Sequence, residues 1–374
     1  MDRIQFSDSK LSFLKEKEIL NPFIVMKETF KKYSTCEPVQ DEFWELITVA
    51  FRKKYWMKYK SPKVIYLKYL KIIRLYEAAI LIAKLRPSYV IKHHALIKNT
   101  YLKAKQGNLS SSESITSPEV AYRELLQLMY KMERYSIKFN LMNLLYHGLE
   151  PTIYKNTDIL SRAVYDDYKG FSSLIQSLFT IYQFERDLKL TKSDKKILGK
   201  SLDEALDSNH AQFEYCDNCF STMYEYYSAS ELLEVLNYLG QLSSSTSYWN
   251  RNGNPGNVIY YFDELQFLLE AFWDYSNEIK SKAKNAEWKI PRQTIVNIKY
   301  LPKDQLKSPV CYLDKEIGSK PLHIWRRELE LWKLDVLDGN GFDFSKYDEL
   351  KKLLFSLAEF ASLNDYDPQY TIDK

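Results

Sequence analysis

Residues 61–87, SPKVIYLKYLKIIRLYEAAILIAKLRP, decide the fold class. Ile65, Tyr69, Ile72, Tyr76, Ala79, Ile80 and Ala83 recur at steps of three and four, the period of one face of an α-helix. Ser61-Pro62 opens the segment, because proline suits the first helical turn. Pro87 should close it at Arg86, since the residue before a proline is biased away from helix. At about 100° per residue, Lys63, Lys71 and Arg74 fall roughly opposite the apolar stripe and are expected to point outward together.

Working outward from this helix, the same punctuation recurs. Asn21-Pro22 opens a helix to about Tyr33, and a second begins near Val39 with Phe43, Trp44, Ile47, Ala50 and Phe51 at helical spacing. Ser117-Pro118-Glu119 starts another that runs to about Tyr146. Further helical segments fit 157–188, 192–227, 228–242, 259–284, 322–336 and 345–361. The chain has 30 tyrosines but only 10 glycines in 374 residues, too few turn formers for a strand-rich fold of this length. The exception is 294–301, TIVNIKYL, with 309–313, where β-branched residues alternate as in strands. The expected fold is therefore mainly α, a multi-helix bundle or irregular helical array with one small β-hairpin near 294–313.

Residues 106–118, QGNLSSSESITSP, lack apolar periodicity and are serine-rich, which marks a linker. It would separate a basic helical region, 1–105, from a larger helical region, 119–374. Residues 241–257, QLSSSTSYWNRNGNPGN, carry turn signals that exclude helix, and read as an exposed connection with a pinned aromatic.

Charge is unevenly placed. Residues 52–105 hold fifteen Lys/Arg against Glu77 alone, and 201–279 hold thirteen acids against Arg251 alone, in a chain whose net charge is only +4. Arg52, Lys53, Lys54, Lys58 and Lys60 are interleaved with Tyr55, Trp56 and Tyr59. Cations that neutralise phosphates, beside rings on which bases stack, are the parts of a single-stranded nucleic-acid groove. The nucleic-acid-binding candidates are Arg52, Lys53, Lys54, Tyr55, Trp56, Lys58, Tyr59, Lys63, Lys71 and Arg74. An acidic protein could supply the same counter-charge, and so could the chain's own acidic segment at 201–279. That acidic segment, rich in aromatics, could itself dock a basic partner.

Cys216-Asp-Asn-Cys219 with His210 offers three zinc-type ligands, but structural zinc takes four, and Cys36 and Cys311 lie far away in sequence. No metal or cofactor is therefore expected. Residues 338–343, DGNGFD, lie in the wrong register for a calcium loop, and a plain turn is expected. The chain has no G-x-S-x-G, P-loop, G-x-G-x-x-G or H-E-x-x-H motif. The spacing Arg86-x6-His93 resembles the R-x6-H motif of HEPN-type ribonucleases, which are helical and bind RNA. The resemblance covers eight residues and implies RNA cleavage by Arg86 and His93 in a site composed by two protomers. Pro87 departs from the polar residue that usually follows the arginine in that family.

The N-terminus has an early acid and no apolar core of a secretory signal. The longest apolar run, Ala78 to Ala83, is far short of the ~20 residues that cross a bilayer. Four cysteines cannot make a disulfide framework. A cytoplasmic, intracellular protein without a membrane partner is expected. The leading functional expectation is a non-catalytic binding or adaptor protein whose basic face at 52–105 engages nucleic acid or an acidic protein. The alternatives are the ribonuclease and a purely structural protein whose basic and acidic segments pair internally.

Overall fold

The computed structural model describes residues 11, 13–52, 55–85, 118–133, 137–149, 157–184, 190–207, 228–250, 253–278 and 287–366. Among these the chain is mainly α, with fourteen α-helices and no strand. No described helix is long and apolar enough to cross a membrane. The chain divides into two compact units, residues 1–60 with 64–208 and residues 61–63 with 209–374. The division falls near 208; of the serine-rich stretch at 106–118, only Pro118 is among the described residues.

The first unit holds α1 (Glu16–Ile19), α2 (Phe23–Phe30), α3 (Glu37–Phe51), a 3-10 turn (Tyr55–Lys58), α4 (Lys63–Lys84, apart from its first residue), α5 (Pro118–Glu133), α6 (Ile137–Leu149), α7 (Thr157–Phe184) and α8 (Lys192–Asp207). The expected stripe of α4 is buried at every position. Burial goes further than the stripe, because every residue from Leu75 to Ala83 is buried. A helix apolar all round belongs inside a core, and Glu77 is the one charge there, fully buried. It accepts backbone N–H bonds from Phe13 at 2.9 Å and Leu14 at 3.1 Å and an ion pair from Lys138 at 2.6 Å, as a buried carboxylate must.

Around α4, α7 packs on α2, α3 and α5, and α3 packs on α6. Aromatic rings fill these seams: Phe43 lies 4.9 Å from Phe171, Tyr76 5.9 Å from Phe171, and Phe30 5.4 Å from Phe179. Gly148 permits the close approach of α6 to α3, since a β-carbon there would stand 2.9 Å from Val49. The single helix expected from 118 to 146 is described as two, α5 and α6.

The second unit holds α9 (Ala229–Ser243), α10 (Pro255–Glu278), α11 (Arg292–Asn297), α12 (Pro309–Ile317), α13 (Leu322–Asp338) and α14 (Asp348–Phe360). Its last helix, α14, packs on α9, α10, α12 and α13. Ser228 and Glu231 form a capping box at the start of α9. Trp332, fully buried, donates its indole N–H to Ser243 Oγ at 2.9 Å, so the polar edge of the largest core ring is satisfied. Helix α13 stops at Gly339, whose φ of 63° is left-handed. The connection after α9 is shorter than expected, for α9 reaches Ser243 and α10 starts at Pro255. Tyr248 in between is buried, and Trp249 packs beneath Gly339.

The hairpin expected at 294–313 does not form. Residues 292–297 are helix α11, 309–317 are helix α12, and the one β-bridge among the described residues joins Thr246 to Asn340. The physical reason is a carboxylate. Glu359, nearly fully buried, accepts the N–H groups of Lys299, Tyr300 and Leu301 at 2.6, 2.7 and 2.8 Å. The donors that would have made a strand ladder are taken by one side chain.

Candidate anion-binding surface

The cationic candidates lie on three pieces of the first half of the chain: the end of α3, the 3-10 turn at Tyr55–Lys58, and α4. The side chains of α4 sit beside the acids of the three preceding helices. Lys68 pairs with Glu45, and Lys71 with Glu42 at 2.7 Å. Arg74 reaches the buried Glu18 at 2.6 Å and Glu28 at 3.2 Å. Lys63, which groups with the second unit, pairs with Asp338 of that unit at 3.2 Å. The side chains of Lys63, Lys71 and Arg74 are only about a quarter exposed, at 27%, 26% and 25%. The outward-pointing trio expected from helical geometry is thus a set of ion-paired groups.

The rings interleaved with the cations have separate fates. Trp56 is buried, 3% exposed, so its ring belongs to the core and offers no stacking face; this corrects its place among the nucleic-acid-binding candidates. A four-residue 3-10 turn has one residue in three on its inner side, and Trp56 takes that position. Tyr59 is half-buried between Lys58 and Lys68, whose ammonium groups lie 5.4 and 4.9 Å from its centroid. Lys53, Lys54 and the side chain of Tyr55 lie outside the described residues, as do Arg86, His93, His210, Cys216 and Cys219.

Arg52, Lys58 and Lys60 remain exposed. Arg52 lines an open groove of about 580 Å³ along the outer face of α3 together with Pro38, Asp41, Glu42, Trp44, Glu45 and Thr48. Trp44 is 49% exposed there, braced edge-on by Tyr168 at 4.9 Å. Lys58 approaches the same groove through Glu45 at 4.0 Å. Phe51 and Met57, the neighbours of Arg52 and Lys58, are exposed as well.

In the second unit, two acids of α10 are likewise paired within the unit. Asp263 pairs with the buried Lys333 at 3.1 Å and Glu270 with Arg326 at 2.6 Å. The turn at 338–343 lines an open pocket of about 420 Å³ with Asp335, Asp338 and Asp343, but no group of His, Cys, Asp and Glu suited to a metal occurs among the described residues. Burial alone would push the Asp335 carboxyl up, but hydrogen bonds from Lys346 and Tyr347 outweigh it and hold the group below its ordinary value. Burial, and then its bond to Asp335, pushes the Tyr347 phenol well up.

A second cationic stretch was not anticipated. Residues 287–307 carry Lys289, Arg292, Lys299, Lys303 and Lys307 against Glu287 and Asp304, and all five cations are exposed. The signal available in the sequence was that charge excess, divided by Pro291 and Pro302, which argue against paired strands.

The chain matches no protein-family model, no curated protein and no solved structure.

Proposed function

We propose that this chain is a non-catalytic, intracellular helical binding protein, an adaptor whose surface at Trp44, Arg52, Lys58 and Lys60 meets an acidic protein partner. One observation carries the reading: exposed cations and exposed apolar rings occupy the same corner, with Trp44 and Arg52 in a single groove. Aromatic residues, methionine and arginine are the types that protein interfaces concentrate, and Trp44, Phe51, Met57 and Arg52 supply them. An acidic protein suits this corner better than nucleic acid does. Trp56 is withdrawn into the core and offers no face to a base, and the carboxylates of Glu42 and Glu45 in the groove are already met by Lys71 and Lys68.

The test is a fluorescence-anisotropy titration of the full chain with an acidic, aromatic-containing peptide and with a mixed-sequence oligonucleotide pool. Charge reversal of Arg52, Lys58 and Lys60 to Glu should weaken peptide binding at least tenfold, and Trp44→Ala should weaken it severalfold, since exposed anchors of this type carry about 1–2 kcal/mol. No peptide binding, or peptide binding indifferent to both variants, rejects the proposal. Oligonucleotide binding abolished by the triple reversal would assign the corner to nucleic acid instead.

A further inference from the structure

We infer that residues 289–307 of the second unit form a binding ribbon for single-stranded nucleic acid, separate from the corner at Trp44 and independent of its partner. Three observations combine. The first is charge. Lys289, Arg292, Lys299, Lys303 and Lys307 are all exposed, and none has a carboxylate within ion-pair distance among the described residues. The one acid within these residues, Asp304, accepts a bond from the Gln305 amide at 2.9 Å. Like charges gathered without counter-ions raise the local potential, and a polyanion that displaces its own condensed cations lowers it.

The second observation is rigidity. Glu359 clamps three successive backbone N–H groups at 299–301, and Ser356 Oγ donates to the Tyr300 carbonyl at 3.3 Å. Trp288 N–H donates to the Lys307 carbonyl at 2.8 Å and closes the two ends of the ribbon on each other. Ile298, Leu301 and Leu306 are buried beneath it. With Ile298, Leu301 and Leu306 fixed inward, the cations lie on the outer side. A site ordered before binding loses less conformational entropy when the ligand arrives.

The third observation separates the ligand classes. The ring of Tyr300 lies 4.4 Å from Phe355 at an interplanar angle of 34°, yet remains 38% exposed. One side of it rests on the core and the rest faces water, between Lys299 and a 3-10 turn at Lys303–Gln305. Inorganic phosphate chains need only the cations, and an acidic peptide needs no flat platform; a nucleobase uses both. Val296, 74% exposed on α11, is the feature that an anionic bilayer would use, and it serves here as the control.

The experiment uses the full chain with a fluorescent 20-nucleotide single strand of mixed sequence, alongside inorganic polyphosphate, an acidic peptide and vesicles containing anionic lipid. Single-strand binding should weaken with salt at a log–log slope of about −3.5, for about five phosphate contacts at roughly 0.7 each. Lys299→Glu with Lys303→Glu should cost at least tenfold. Tyr300→Ala should cost about five- to tenfold, as loss of one stacked base does, while Tyr300→Phe and Val296→Ser should bind like the native chain. Thermal unfolding of each variant shows that it is folded, and Tyr300→Phe holds the ring contact with Phe355 if Tyr300→Ala loosens the ribbon. No strand binding at low salt overturns the inference. So does binding unchanged by the Lys299 and Lys303 reversals, or equal affinity for polyphosphate, the peptide or the vesicles. Reversal of Arg52, Lys58 and Lys60 should leave strand binding intact, so this inference and the reading of the Trp44 corner fail separately.

Discussion

Lys68, Lys71 and Arg74 in the first unit each meet a carboxylate of α1, α2 or α3, whereas Lys289, Arg292, Lys299, Lys303 and Lys307 in the second meet none among the described residues. The first region has the higher density of cations in the sequence, and the second has the more available ones. Density is a local property and can be counted in a window. Availability depends on which acids fold against the cations, and Glu18, Glu28, Glu42 and Glu45 come from 20 to 60 residues upstream. The comparison also extends to the backbone. Each unit uses one buried glutamate to pin an extended segment, Glu77 for residues 13–14 and Glu359 for residues 299–301. In the first unit that device fastens a segment carrying Leu11 and Leu14 into the core, and in the second it holds cations at the surface.

The largest effect should come from removing the clamp of the second unit. Glu359→Ala leaves three backbone donors without their acceptor, two of them on exposed residues that water can reach and one, on Leu301, buried. Loss of charge-assisted bonds and the desolvation of the orphaned donor together amount to about 3–5 kcal/mol, read as a lower midpoint in urea unfolding. The same variant should weaken binding of a single strand, because the ribbon is no longer preordered. A midpoint unchanged within error would show that Trp288 and the buried Ile298 and Leu301 hold the ribbon without the carboxylate.

Next in size is Glu77→Gln in the first unit. The amide can still accept from Phe13 or Leu14 but loses the ion pair with Lys138 and places an NH2 donor in a buried site. About 2–3 kcal/mol of stability should be lost, with no change in binding of an acidic peptide at the Trp44 corner. If peptide affinity fell in step with stability, the corner and the core of this unit would be coupled, and the contrast between a structural interior and a working surface would not hold.

The sequence disclosed the parts of this fold that rest on long apolar periods. Helix α4 is bounded by Ser61-Pro62 and Pro87 and carries its stripe for five turns, so both its existence and its inner face were readable. The hairpin failed because alternation over Thr294 to Ile298 is too short to exclude a helical turn, and because the acceptor of the 299–301 donors lies about 60 residues downstream at Glu359. Trp56 was misplaced for a related reason. Its neighbours in sequence are cations, but a short 3-10 turn has no period long enough to say which side faces in. The Trp44 groove was half legible: Trp44 stood at helical spacing with Phe43 and Ile47, which suggested core, and only the packing of Phe43 rather than Trp44 against Phe171 leaves it at the surface.

The smallest effect gives the sharpest test of the contrast between the two cationic regions. If Glu42 and Glu45 are what keep the α4 cations from engaging a polyanion, then Glu42→Gln with Glu45→Gln should release Lys71, Lys68 and Lys58 while leaving the fold intact. These side chains are partly exposed, from 20% to 46%, and pairs at that exposure are worth only about 0.2–1 kcal/mol each, so the unfolding midpoint should hardly move. Removing two negative charges from a cationic surface should raise affinity for inorganic polyphosphate about three- to tenfold at low salt, and the gain should vanish near 0.5 M salt, where the screening length falls to about 4 Å. The gain must appear even with Lys299 and Lys303 reversed to Glu, which removes the contribution of the ribbon. If polyphosphate affinity in that background does not rise, the carboxylates of α3 are not what silences α4, and the low exposure of its lysines is the cause instead.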